Sequence, residues 1–155
     1  MDKSGNSRLD GAPLPALLGA AQRAYGSALR AGLVEAGFDD MPRAGIMLVG
    51  ALARRESNNV SGVAGAFGIS KQATSQLVDT MVERGYCERT ADTADRRRMT
   101  VHLTDRGRSA ARVIRSAMTR LNRTLTEHVS ERDIAGTRAT LRAIVELGRD
   151  QSPTS

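Results

Sequence analysis

From Leu14 onward, apolar and polar positions alternate at the period of an α-helix. Leu14, Leu17, Leu18, Ala21, Tyr25, Leu29 and Leu33 fall on one face. Pro13 and Pro15 stand where a first turn tolerates proline, and Gly37 lies past the end. The connector "FDDMP" follows. Pro42 then opens a second helix with Ile46, Leu48, Val49, Ala51 and Leu52 as apolar positions, running out in the polar "RRESNN". Asn59 suits the N-cap of a short third helix over 60–67, with Val63, Ala64 and Phe67 inward. Gly68 suits a tight left-handed turn, and Ser70 caps the next helix, "SKQATSQLVDTMVERG". There Ala73, Leu77, Val78, Met81 and Val82 make one face. Lys71, Gln72, Ser75, Gln76 and Asp79 make the other, and Gly85 closes the helix.

The period then changes to two. "YCERT" and "MTVHLT" read as short strands, with Met99, Val101 and Leu103 alternating against Thr100 and His102. Between them lies "ADTADRRR". Thr104 caps a long helix running to about His128, with Ala110, Ile114, Ala117, Met118, Leu121 and Leu125 on one stripe. "SERD" at 130–133 is a capping-box pattern opening a last helix that places Ile134, Leu141, Ile144 and Val145 inside.

Composition narrows the class. A length of 155 residues suits one domain, and aromatics at 3% with no Trp leave a core of Ala, Leu, Val, Ile and Met, as helices favour. The formal charge of +6, carried mostly by Arg, favours a polyanionic partner. The one cysteine, Cys87, excludes an internal disulfide and fits a reducing cytoplasm. No apolar run is long enough for a bilayer, and "MDKSGNSRLDGAP" lacks the apolar core of a secretory signal.

Helix, tight turn, helix, then two strands joined by a basic loop is the layout of a winged helix-turn-helix. The fold class is therefore mainly α with a small β-hairpin wing, flanked by further helices. A major groove about 12 Å wide admits one helix, and that helix must carry short polar groups outward. Residues 70–84 do so: Gln72 and Gln76 suit an adenine edge, Lys71 guanine or phosphate, Ser75 either, and the helix start at Ser70 an anion. Thr74 belongs to the same candidate set, its position suiting either packing or a phosphate contact. The wing tip carries Arg96, Arg97 and Arg98, cations that suit a narrow minor groove, with Asp95 as their brace. Arg89, at a strand end, is open to two readings, a phosphate contact or an ion pair with Glu88 or Asp92.

The stretch "GISKQATSQLVDTMVERGYCERTADTADRRRMTVHLTDRG" resembles the MarR family of bacterial transcriptional regulators. The match rests on the polar-faced helix, "RGYCER", Asp95 with Arg97, and the Leu103, Thr104, Gly107 element. The chain departs from the family pattern at Gly62 and Gly65, where polar helix formers are more usual. The resemblance implies a single MarR-like domain over 1–155, with a helical dimerisation region over 14–36 and 104–149 and a DNA-binding region over 42–103. It also implies a homodimer that binds double-stranded DNA, represses nearby genes, and is relieved by a small ligand or by oxidation. An effector pocket is expected between the dimerisation helices and the winged region, with Tyr25 and Met47 as candidates.

The remaining chemistry is sparse. Cys87 beside Glu88 reads as structural, because an acid neighbour raises a thiol pKa. His102 and His128 stand apart from other metal-ligating residues, so no metal or cofactor is expected. No Ser-His-Asp order or Gly-rich phosphate loop appears, so the chain does not read as an enzyme. Three functions stay open: a ligand-responsive DNA-binding regulator, a low-specificity architectural DNA binder, and a winged-helix protein-interaction module.

Overall fold

The computed structural model describes residues 11–54, 58–59, 70–91 and 99–150. Helix α1 (Leu14–Glu35) starts behind Pro13, with Pro15 in its first turn, and ends at Ala36, after which Gly37 takes φ +80°. Helix α2 (Arg43–Leu52) follows Pro42, and the short strand β1 (Asn58–Asn59) comes next. Helix α3 (Lys71–Glu83) begins where the Ser70 hydroxyl accepts the Ala73 N–H at 3.1 Å. It stops in a Schellman turn: Gly85 at φ +71° donates its N–H to the Val82 carbonyl at 2.9 Å, and Tyr86 donates to Met81 at 2.8 Å. The left-handed backbone that turn demands explains the glycine.

Strands β2 (Cys87–Ala91) and β3 (Met99–Leu103) pair antiparallel, Cys87 opposite Leu103 and Ala91 opposite Met99. The sheet has three strands rather than two, in the order β1-β3-β2, because β1 pairs with Thr100 and Val101 on the other edge of β3. Two asparagines carry no apolar alternation, so this strand left no periodic signal. The third expected helix at 60–67 and its turn at Gly68 lie outside the described residues, as does the wing tip with Asp95, Arg96, Arg97 and Arg98.

Helix α4 (Asp105–His128) is capped by Thr104, whose hydroxyl accepts the Gly107 N–H at 3.1 Å and donates to the Gly85 carbonyl at 2.6 Å. A Cβ on Gly107 would lie 2.1 Å from the Tyr86 carbonyl oxygen, so only glycine lets α4 start this close to the hairpin. The Leu103, Thr104, Gly107 element is thus the seam between wing and long helix. Helix α5 (Glu131–Asp150) is capped by Ser130, which accepts the Asp133 N–H at 3.2 Å and donates to the Asp133 carboxylate at 2.6 Å.

The described chain divides into two compact units, up to Met118 and from Thr119 on, a division inside α4. The first unit's core is built by Leu29 and Leu33 of α1, Leu48 and Val49 of α2, Val78 and Met81 of α3, and Ala110 and Ile114 of α4, with Met41, Tyr86 and Val101 between them. In the second unit Leu121, Leu125, Ile134 and Leu141 are half-buried, and no side chain over 131–148 is buried. Ile144 and Val145, expected inside, are exposed, since two helices alone offer nothing to cover that side. Among the described residues no helix is long and apolar enough to cross a membrane.

Candidate functional site

Helix α3 sets the site. Most of the expected inner face packs inward: Val78 and Met81 are buried and Leu77 and Val82 lie half-buried against the core, whereas in the first turn Ala73 is exposed and Thr74 is buried instead. Thr74 is 0% exposed and its hydroxyl donates to the Ser70 carbonyl at 3.0 Å, so it packs and presents nothing outward. This corrects its place among the groove-facing candidates. The residue looked ambiguous because a threonine methyl packs as well as its hydroxyl bonds. Lys71, Gln72 and Gln76 are exposed, and Ser75 is half-buried. The Ser70 hydroxyl is engaged as the helix cap, and Ser70 is exposed at the helix start.

Arg89 makes an ion pair that neither reading named. Its Nη1 meets Oδ1 of Asp79 of α3 at 2.5 Å; Asp92 lies outside the described residues. Alternation in β2 puts Cys87 and Arg89 on the strand face towards α3, whereas Glu88 points the other way, opposite His102. Cys87 is buried, and burial pushes its thiol up to about 11. Burial, and not the neighbouring Glu88, is what raises it.

A polar knot that sequence reasoning missed fixes the base of the hairpin. Asp40, in the α1–α2 connector, accepts hydrogen bonds from the Tyr86 hydroxyl and, at 2.9 Å, from Arg106 Nη2 of α4. Arg106 also donates to the Arg84 carbonyl at 2.6 Å and lies over the Tyr86 ring, 4.4 Å from its centroid. Arg84 donates to the Asp40 carbonyl, and Arg30 of α1 donates to the Met41 carbonyl and, at 2.7 Å, to that of Asp39. The Tyr86 hydroxyl, and after it Arg106, holds the Asp40 carboxyl below the usual carboxylate range. Burial, and then Asp40, pushes the Tyr86 phenol up to about 12. Residues 30, 40, 84, 86 and 106 share no period and come from four separate stretches of the sequence, so no pattern announces them.

Tyr25 and Met47, the two residues named from sequence as pocket candidates, line one cavity of about 550 Å³ between α1 and α2. Its wall adds Arg23 and Arg43 at its polar points and Leu29 and Ile46 at its apolar ones, with no acidic residue among the described ones. Gly19 and Gly26 leave room on the α1 side: no atom stands within 4 Å of where a Gly26 Cβ would be. Among the described residues no group of His, Cys, Asp and Glu is arranged to hold a metal ion.

Comparison with known proteins follows this geometry. Residues 39–98 match the model of the MarR family. No curated protein sequence matches the chain. Among solved structures, FabT of Streptococcus pneumoniae in complex with DNA is 18% identical over 90% of this chain and 97% of that one, with a TM-score of 0.77. A MarR transcriptional regulator from Methanosarcina mazei Go1 is 18% identical over 90% and 98%, with a TM-score of 0.74. A cysteine mutant of MarR from E. coli complexed with operator DNA is 18% identical over 85% and 93%, with a TM-score of 0.72. At such identities the likeness is one of fold.

Proposed function

We propose, for a chain whose residues 39–98 carry the MarR-family pattern on a MarR winged-helix fold, that it is a DNA-binding transcriptional regulator. It acts in the cytoplasm as a homodimer on a pseudo-palindromic operator, as a repressor released by a small molecule. The observation that carries the reading is α3. Its outward face offers Lys71, Gln72 and Gln76, while Val78 and Met81 anchor it from below and the Schellman turn ties it to the hairpin. The neighbours bound to DNA have the same fold. In the DNA-bound state Lys71, Gln72, Ser75 and Gln76 face the major groove, the helix start at Ser70 faces a phosphate, and Arg96, Arg97 and Arg98, braced by Asp95, enter the adjacent minor groove.

Two further features support the finer parts. Apolar side chains are exposed in each unit, Leu14 at 46% in the first and Val145 and Leu147 at 54% and 61% in the second, and a second copy would cover them. The cavity between α1 and α2 suits an effector with an apolar body and a negative group, given Arg23 and Arg43 on its wall. Filling it bears on α2, which packs on α3 where Gly45 meets Met81.

Selection of binding sites from a randomised duplex library, followed by titration with variants, tests the reading. Arg97→Ala weakens binding on every sequence, whereas Gln72→Ala relaxes preference at one base step worth about 1–3 kcal/mol. Equal losses on all sites for both variants would remove Gln72 from base readout, and no enriched sequence at all would refute a specific regulator.

A further inference from the structure

Asp79 shares the outward face of α3 with Gln72 and Gln76 at helical spacing. A carboxylate on that face opposes the phosphates of a docked duplex, so its presence there needs a reason. Packing does not supply one, because the Asp79 side chain is 50% exposed and that of Arg89 31%. An ion pair exposed to this degree contributes little to stability. The hairpin is also joined to α3 without it, through the Gly85 turn and the buried Tyr86 and Cys87. What Asp79 does control is Arg89, whose Nη1 it holds at 2.5 Å.

We infer that Asp79 is a specificity-determining residue: by engaging Arg89 it withholds one cation per chain from indiscriminate phosphate contact. The inference rests on the DNA-binding reading above. Binding to arbitrary duplex is supplied almost wholly by phosphate neutralisation, whereas binding to the operator adds base contacts. Neutralising Arg89 therefore takes a larger fraction of the affinity for arbitrary DNA than of that for the operator. The ratio between them widens even though both affinities fall. Discrimination is gained by weakening the wrong complex.

The test compares wild type, Asp79→Asn, Asp79→Glu, Arg89→Gln and the double variant Asp79→Asn with Arg89→Gln. Each is titrated against a mixed-sequence duplex and against the duplex that wild type enriches from a randomised library. Asp79→Asn binds the mixed-sequence duplex more tightly, and its affinity falls more steeply with salt, by about a further 3-fold per chain between 50 and 200 mM, as one added phosphate contact requires. The enriched-to-mixed ratio narrows. Asp79→Glu restores the wild-type ratio, and in the Arg89→Gln background most of the Asp79→Asn gain disappears. Unfolding midpoints of all variants stay within those expected of surface changes, so folding does not explain the result.

Weaker binding of Asp79→Asn to both duplexes would overturn the inference in favour of a brace. Altered preference at a single cytosine would overturn it in favour of direct readout, and a gain undiminished without Arg89 in favour of plain charge. A wild type that binds no duplex refutes the DNA-binding reading itself and this inference with it. A wild type that binds DNA but is matched by Asp79→Asn in both affinities refutes only the inference.

Discussion

Helices α3 and α5 both carry an apolar stripe at helical period, and the stripes meet different fates. In α3, Val78 and Met81 are wholly buried, Ser70 caps one end and Gly85 turns the other into the hairpin. In α5, Ser130 caps the start equally well, yet Ile144, Val145 and Leu147 remain exposed. The stripe says that a face seeks cover; neighbours along the chain decide whether the same chain provides it. In α3 the cover comes from α2, the sheet and α4. In α5 the uncovered face is where a second copy is proposed.

The sharpest way to break this comparison is to cut both stripes. Met81→Ala should cost about 2–5 kcal/mol of folding stability in denaturant unfolding. Leu147→Ala should change the stability of dilute protein by less than about 0.5 kcal/mol while weakening self-association seen by sedimentation. Equal costs at the two positions would show that α5 is covered within one chain. The seam between wing and α4 is next in size. Gly107→Ala forces a methyl onto the Tyr86 carbonyl and should cost about 3 kcal/mol, since backbone must move to admit it.

Tyr86→Phe is milder. It removes the hydroxyl donated to Asp40 but keeps the ring, and Asp40 keeps Arg106, so a loss of about 1.5 kcal/mol is expected. The smallest effect is on pH dependence at the alkaline end. Cys87 titrates at about 11 in the fold, above its unfolded value, so the unfolded chain loses its proton first. Stability from this group is full below about pH 9 and is lost as pH rises towards 11. Native protein should resist iodoacetamide at neutral pH and label on unfolding, a contrast that mass spectrometry reads directly. Labelling of the native protein would contradict the buried thiol.

Much of this was legible beforehand because it is local. Ser70, Thr104 and Ser130 act as caps through the residues three positions on, and Gly85 through the turn it alone permits, so short-range patterns expose them. Strands β2 and β3 showed in the alternation of Met99, Val101 and Leu103. The inner face of α3 was legible at Leu77, Val78, Met81 and Val82 but not in its first turn, because Ala73 and Thr74 are both small and only tertiary packing chooses between them. Strand β1 left no trace, since its two asparagines borrow their pairing from β3. The Asp40, Tyr86 and Arg106 knot and the Asp79–Arg89 bridge were illegible for one reason: each joins polar residues of separate elements, and polarity alone does not name a partner.

The central claim, that the α3 face and its wing read DNA as a pair of chains, is tested most directly by one titration. The protein is measured against the duplex it enriches from a randomised library and against a scrambled version, at 50 and 200 mM salt, with stoichiometry taken from the same samples. Two chains per enriched duplex are expected, with affinity falling by roughly 10³–10⁵ across that salt range on both duplexes if the pair neutralises on the order of 6–10 phosphates. The enriched site should stay ahead by about 4–10 kcal/mol at physiological salt. Equal affinity for the two duplexes would contradict specific regulation and leave an architectural DNA binder, and the absence of any salt-dependent binding would contradict a DNA role altogether.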